Sequence, residues 1–106
     1  MLRPLRFCTP VTEGGADIYV HAKVLVVDDA LLRVGSSNIN NRSMGLDTEC
    51  DLAVEARPGD SNAPAVRVAI LRVRDTLMAE HLGVPRTDFE AALRVANGHL
   101  FGRWIV

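Results

Sequence analysis

Lysine is almost absent from this chain of 106 residues. Lys23 is its single lysine, and the other eleven of the twelve Lys and Arg side chains are arginines. An arginine-heavy composition suggests a GC-rich genome, in which mutational bias leaves few lysines. The planar guanidinium of arginine does not fill the space of a compact ammonium group. We therefore interpret position 23 as one that resists replacement of lysine by arginine.

Metal-ligand patterns and long apolar runs are missing as well. Cys8 and Cys50 lie far apart without metal-ligand spacing, and we predict that both are buried thiols. Because no H-E-x-x-H, CxxC pair or carboxylate cluster occurs, neither a metal nor another cofactor is predicted. No stretch reaches the roughly 18 apolar residues of a membrane span, and "MLRPLRFCTP" lacks the apolar core of a signal peptide. We expect a cytoplasmic or membrane-peripheral protein.

A surplus of positive charge is missing too. The formal net charge is −1, so no nucleic-acid partner is predicted, because such proteins need a basic surface. The hydrophobic share of 48% argues against disorder. A chain of 106 residues forms at most one small domain, and no repeat or linker divides it.

Three short segments have the composition of β-strands. Residues 16–29, "ADIYVHAKVLVVDD", alternate so that the even-numbered positions from Ile18 to Val26 form an apolar core face. The same alternation places His21 and Lys23 side by side on the other face. A turn at residues 28–30 followed by "LLRVGSS" predicts a hairpin. After a loop or short helical turn, "SSNINNRSMG", the segment "ECDLAVEA" predicts a third strand.

Two helices are predicted after the strands. Apolar residues recur at helical spacing over residues 65–82, with Pro64 suited to the first turn and Gly83 to the C-terminal cap. Thr87 and Glu90 fit a capping box for a second helix that runs to about Asn97. The predicted class is α/β, a small mixed sheet with C-terminal helices. This order leaves little to cover the second face of the sheet.

Six residues with chemical potential follow one another at fixed spacing around the lysine. The pattern is H-x-K, four residues, D, six residues and G-S-x-N, formed by His21, Lys23, Asp28, Gly35, Ser36 and Asn38. This stretch, within residues 19–44, resembles the HKD motif of the phospholipase D superfamily. "NNRSMGLDTECDLAV" is similar to the continuation in the branch with phospholipases D and cardiolipin synthases. The resemblance covers about residues 7–55 and implies a phospholipase D-like half-domain.

The chemistry of the motif follows from its residue types. A phosphodiester is anionic, so its cleavage needs a nucleophile together with donors for the non-bridging oxygens. A neutral imidazole is a nucleophile, so His21 can attack, while Lys23 and Asn38 can donate to those oxygens. In the family the motif histidine forms a phosphohistidine, and a second motif's histidine protonates the leaving alcohol. The resemblance implies one of these two roles for His21.

An acceptor must hold the second imidazole nitrogen. Some family members place an orienting glutamate at about this distance after the histidine, so Glu49 is the candidate and Asp51 the runner-up. Both positions also fit ordinary surface carboxylates at the start of a strand.

The remaining motif residues are assigned supporting roles. We interpret Asp28 as structural, with its side chain bonding backbone N–H groups of the hairpin turn. Gly35 permits a close approach of the backbone, and Ser36 is placed to hydrogen-bond near the phosphate. Arg42 fits a solvated loop arginine better than a phosphate ligand.

Family members build one active site from two HKD motifs, whereas this chain has one. The resemblance therefore implies a second motif from a homodimer mate or from a separate lobe, and the expected chain is a truncated C-terminal lobe. Three interpretations follow: a phospholipase D-type phosphodiesterase, an inactive fragment, or a non-catalytic module that binds phosphate or headgroups. The expected substrate is a phospholipid, cleaved or transferred to another alcohol, with peripheral contact to a membrane; a nuclease-type phosphodiesterase is the alternative.

Overall fold

Three strands and three helices follow one another in the expected order in the part of the chain that the computed structural model describes, residues 8–97. The N-terminal segment inspected for a signal peptide lies mostly outside those residues. In chain order the elements are β1 (Val24–Val27), β2 (Leu31–Gly35), α1 (Asn41–Gly45), β3 (Asp51–Glu55), α2 (Ala63–Leu82) and α3 (Arg86–Val95). The predicted α/β class is confirmed. The sheet, expected to be mixed, is antiparallel throughout this region, in the order β1-β2-β3.

The predicted hairpin is confirmed. Val24 pairs with Val34 and Val27 with Leu31, which leaves a three-residue loop at 28–30 with a β-turn closed by a bond from Ala30 N–H to the Val27 carbonyl (3.1 Å). Asp28, the first central residue of this turn, has φ 50°. Tight hairpin turns favour positive φ because their twist then matches that of the strands, and aspartate tolerates it. The positive φ of Asp28 thus explains why an aspartate suits this position of the turn.

The first strand is shorter than predicted. We expected residues 16–29 to be extended in one strand, but β1 begins at Val24, so His21 and Lys23 precede it. The reason is a competing partner. Asp17 forms a bridge with Val11, and Ile18 N–H donates to the Pro10 carbonyl (3.0 Å). These local bonds occupy the backbone that a longer strand would have offered to β2.

The described residues form two compact units, one of residues 21–74 and one of residues 8–20 with 75–97. In the first, the buried apolar residues are Ala56, Ala63 and Ile70, with Ile70 only 1% exposed. The expected core face of the sheet is not buried: Leu52, which shares it, is 72% exposed. In the second unit Ala79 and Phe89 are buried. The prediction that the even-numbered strand residues face a core is therefore wrong in this region.

The long helix follows its sequence signals. α2 places Pro64 in its first turn, where the missing N–H has no helical partner to lose. At the other end Gly83 has φ 65°, its N–H donates to the Glu80 carbonyl, and Val84 N–H donates to the Ala79 carbonyl. This pair of bonds is a Schellman cap. The predicted helix and its glycine stop are confirmed.

The second helix begins earlier than its predicted cap. Asp88 and Phe89 N–H groups both donate to the Pro85 carbonyl, so Pro85 is the N-cap of α3 and Thr87 lies inside the first turn. The Thr87–Glu90 capping box is wrong. Glu90 instead accepts from Arg86 one turn earlier, at 3.2 Å. The helix stops at Val95, two residues before the expected end.

The two cysteines correct another expectation. Cys8 and Cys50 are both free thiols and both exposed, so the prediction that they are buried is wrong. Cys50 directly precedes β3, an outer strand of the sheet whose residues are exposed along its whole length. Across residues 8–97, none of the helices combines the length and apolar character needed to cross a bilayer.

Candidate active site

One end of the sheet gathers the motif residues. The Gly35 N–H donates to the Lys23 carbonyl (3.2 Å), and Gly35 pairs with Asp51 on its other side. Lys23, Gly35 and Asp51 thus form one row across the strands. A Cβ on Gly35 would lie 1.8 Å from Asp51 Oδ1 and 2.5 Å from the Cys50 carbonyl oxygen. The glycine of the motif therefore leaves room for Asp51.

Lys23 belongs to this row, and His21 lies two residues before it. Lys23 is half-buried, and its Nζ donates to the His21 carbonyl oxygen at 2.9 Å. The His21 residue itself is exposed. The Lys23 ammonium thus bonds to the His21 backbone. They are adjacent as expected, although the strand does not extend to them.

Glu49 lies against the serine of the motif. Ser36 Oγ donates to Glu49 Oε2 at 2.5 Å and accepts from Cys50 N–H at 2.9 Å, while Ser36 N–H donates to the Cys50 carbonyl. The hydrogen bond from Ser36 lowers the pKa of Glu49 below its ordinary value, with smaller contributions from Ser43 and from the Lys23 charge. Glu49 is therefore ionised near neutral pH and lies close to the motif lysine.

Asp51 has different neighbours. Ser37 donates to it twice, from its N–H to Oδ1 (3.2 Å) and from its hydroxyl to Oδ2, and Arg33 Nη1 donates to Oδ2 at 3.1 Å. The Ser37 hydroxyl is the main cause of a lowered Asp51 pKa. Sequence reasoning missed Ser37 and Arg33. Strand alternation would have placed Arg33 and Asp51 on one face, two pairing positions apart.

Asn38 is presented by the turn that follows β2. Its backbone N–H donates to Ser43 Oγ (3.0 Å), and Ser43 N–H donates to Asn40 Oδ1 (2.9 Å), which caps α1. Asn38 itself is exposed. Ser43 thus holds the backbone of Asn38, a link that the sequence did not reveal. Arg42 pairs with Asp47 at 3.0 Å on the exposed side of α1.

The arrangement has the chemistry of an anion site. The exposed His21 and the half-buried Lys23 precede β1, and the exposed Asn38 follows β2; the bond from Gly35 N–H to the Lys23 carbonyl joins the two segments. Within residues 8–97 no cluster of three or more His, Cys, Asp or Glu residues could hold a metal ion. The groups that are present suit a phosphate ester, which offers several oxygens to cationic and amide donors.

Comparison with known proteins identifies the family of the chain. The family model described as phospholipase D matches residues 11–96, which include the whole motif. The chain therefore belongs to the phospholipase D superfamily.

Its relatives include phospholipases D from very different organisms. It is 35% identical to Phospholipase D of Phytophthora infestans over 82 residues, 71% of this chain and 4% of the relative. It is 40% identical to Phospholipase D alpha 2 of Oryza sativa subsp. japonica over 75 residues, 68% of this chain and 9% of the relative. Phospholipase D gamma 2 of Arabidopsis thaliana is also 40% identical, over 77 residues, with coverage of 69% and 9%. The chain thus spans less than a tenth of these relatives. No solved structure matches it.

Proposed function

We propose that this chain is a phosphodiesterase of the phospholipase D type in which His21 is the nucleophile. The observation that carries the proposal is the grouping of His21, Lys23 and the Ser36–Asn38 segment at one end of the sheet. Lys23 bonds the His21 backbone at 2.9 Å, and Gly35 at the start of that segment bonds Lys23 at 3.2 Å. A nucleophile and two donors for the phosphate oxygens thus come from adjoining segments.

The reaction proceeds in two steps. An imidazole nitrogen of His21 attacks phosphorus, a P–N bond forms, and the P–O bond to the leaving alcohol breaks. The leaving oxygen takes a proton from an acid, which the family supplies as the histidine of a second motif. Water or another alcohol then attacks phosphorus and breaks the P–N bond, and its proton returns to that same group. The product is a phosphomonoester after attack by water, or a new diester after attack by an alcohol.

Lys23 and Asn38 stabilise the charge that develops on the non-bridging oxygens. Lys23 is half-buried and already oriented by the His21 carbonyl, so little side-chain freedom remains to be lost when phosphate binds. Asn38 adds an amide donor without adding charge. Preoriented donors of this kind contribute about a hundredfold or more each to the rate of such reactions.

Glu49 is assigned to hold the His21 imidazole in the tautomer that attacks. Its lowered pKa supports this role, because an ionised carboxylate accepts a hydrogen bond from the ring N–H. The bond from Ser36 fixes its orientation at 2.5 Å. Ser36 therefore acts on the phosphate or on Glu49, and its present geometry favours Glu49.

A complete site requires a second HKD motif. The chain holds one motif, and its matched relatives are more than ten times the matched length. The second motif is expected from a homodimer mate that faces the first across a twofold axis, or from a separate lobe. The proposed substrate is a glycerophospholipid, in line with the names of the relatives, with peripheral membrane contact during turnover.

Hydrolysis of bis(p-nitrophenyl) phosphate in the presence of EDTA tests the proposal. Specific activity should rise with protein concentration as the second motif is recruited, and His21→Ala should lower the rate at least about a thousandfold. His81→Ala is the matched control, since it removes an exposed histidine at the end of α2. Its rate should equal that of the unchanged chain.

Three other results would contradict the proposal. Equal background rates for the unchanged chain and His21→Ala would mean that the motif reflects the ancestry of the chain and has no catalytic role in it. Loss of activity on adding EDTA would contradict a histidine mechanism without metal. Binding of inorganic phosphate without any turnover would assign the chain to the non-catalytic module.

A further inference from the structure

The segment between Gly35 and Asn38 is held by a carboxylate that the proposed reaction does not use. Ser37, between the two functional side chains of the motif, is only 6% exposed. Its N–H donates to Asp51 Oδ1 at 3.2 Å, and its hydroxyl donates to Asp51 Oδ2. Both polar hydrogens of Ser37 therefore bind one carboxylate, which orients the residue completely.

Arg33 completes the contact. Its Nη1 donates to Asp51 Oδ2 at 3.1 Å, and its Nη2 lies 3.5 Å from the Ser37 carbonyl oxygen. The guanidinium therefore contacts the carboxylate and the segment that the carboxylate holds. We call Arg33, Ser37 and Asp51 the Ser37 clamp.

The clamp depends on the glycine of the motif. The Asp51 carboxylate lies where a Gly35 side chain would be, 1.8 Å from an ideal Cβ. On the near side Gly35 N–H is bonded to Lys23, and on the far side Asn38 N–H is bonded to Ser43. The clamp holds Ser37, the residue directly before Asn38, so the direction in which the Asn38 side chain leaves the backbone depends on the clamp as well as on the Ser43 bond.

We propose that Asp51 is a positioning residue of the reaction, which acts through Ser37 to aim the Asn38 amide at the phosphate. The chemistry in this statement rests on the proposed function. Glu49 and Asp51, two residues apart, thus have separate tasks: Glu49 holds Ser36 near Lys23, and Asp51 holds Ser37. A donor displaced by about 1 Å from its productive place costs up to about a hundredfold in rate. The lowered pKa of Asp51 agrees with a carboxylate that stays charged in this role.

A double-mutant cycle on the full chain tests the proposal wherever the unchanged chain hydrolyses the chromogenic diester. Asn38→Ala and Asp51→Asn should each lower kcat, by about a hundredfold and about tenfold, with KM changed less than about threefold. The double variant should be no slower than Asn38→Ala alone, because the clamp acts through Asn38. If the kcat losses of the two single substitutions multiply in the double variant, the proposal is overturned. Glu55→Gln removes a carboxylate from the same strand, in an exposed pair with Arg57, and should leave kcat unchanged.

A second measurement separates failure of this inference from failure of the proposed function. Hydrogen exchange of the Ser37 amide should be at least about tenfold faster in Asp51→Asn than in the unchanged chain, with helix α2 amides unaffected. Inorganic phosphate, titrated by NMR, should bind Asp51→Asn more weakly than the unchanged chain and no more weakly than it binds Asn38→Ala, with changes within about threefold as for KM. If the unchanged chain binds phosphate but has no activity, the proposed function fails while these results still support the clamp. Unaltered Ser37 exchange, or phosphate affinity in Asp51→Asn equal to that of the unchanged chain, overturns the clamp.

Discussion

The polar end of the sheet and its even-numbered apolar face are built very differently. At the polar end, bonds join Lys23, Ser36, Ser37, Glu49 and Asp51 to their neighbours. On the apolar face, Leu52 and Val54 are exposed in the part of the chain that the structure describes. The partners at the polar end all lie within residues 21–51. The site is therefore held by local hydrogen bonds, whereas the apolar face stays exposed within residues 8–97.

The largest loss of stability is expected at the polar end, from Gly35→Ala. The new Cβ would lie 2.5 Å from the Cys50 carbonyl oxygen and 2.6 Å from Asp51 Cα, and backbone atoms cannot move aside cheaply. We expect a loss of about 3 kcal/mol in the free energy of unfolding, measured by urea denaturation. Gly45→Ala is the control, because no atom lies within 4 Å of its added Cβ. A loss below about 0.5 kcal/mol for Gly35→Ala would mean that Asp51 does not occupy this place.

Acid should weaken the polar end next. Hydrogen bonds from Ser36 and Ser37 lower the pKa values of Glu49 and Asp51 below their ordinary values of 4.5 and 3.8. A carboxyl with a lower pKa in the folded than in the unfolded state stabilises the fold above the ordinary pKa, and this stabilisation is lost as the pH falls through the folded value.

The urea midpoint, followed from pH 7 to pH 3, measures this loss. It should fall mainly below pH 4.5, the ordinary value for Glu49. The Asp51→Asn chain lacks this carboxyl group, so its urea midpoint should fall less over the same pH range. An identical pH dependence in both chains would contradict the Ser37 bonds as the cause.

Sequence patterns predicted the elements of this fold better than their limits. The hairpin turn and the Gly83 stop have local signals, a tight polar turn and a glycine at positive φ, and both were found. The start of β1 and the cap of α3 each depend on which of two available backbone partners forms the hydrogen bonds. Asp17 bridges to Val11, and Pro85 rather than Thr87 caps α3; no residue pattern predicts such choices.

The candidate site divides in the same way. The motif predicted the family, because the spacing from His21 to Asn38 is specific to it, and it supplied the candidate residues. The contacts of Glu49 and Asp51 were not predictable in detail, since they depend on the path of the turn after Gly35. Ser37, the variable position of G-S-x-N, carried no signal and is the most buried residue of the turn. Its role follows only from its bonds to Asp51.

A smaller effect is expected where α2 meets the hairpin turn. Arg67 Nη1 donates to Asp29 Oδ1 at 2.6 Å, with both side chains more than a third exposed. Because solvent screens such a pair, Arg67→Gln should cost about 0.5 kcal/mol in urea unfolding. Arg57→Gln, which breaks a more exposed pair with Glu55, should cost less. The reverse order would mean that the hairpin is held mainly by its own backbone.

The smallest effect on stability is expected on the apolar face. Leu52, paired with Val34, is 72% exposed, so Leu52→Thr removes little buried surface and keeps strand propensity. Its free energy of unfolding should change by no more than about 0.5 kcal/mol, whereas Ile70→Thr, at a position 1% exposed, should cost about 2 kcal/mol or more. Light scattering should show less association for Leu52→Thr, because a contiguous exposed apolar face promotes self-contact. If Leu52→Thr costs as much as Ile70→Thr, the face is covered in solution, and the contrast between the two regions no longer holds.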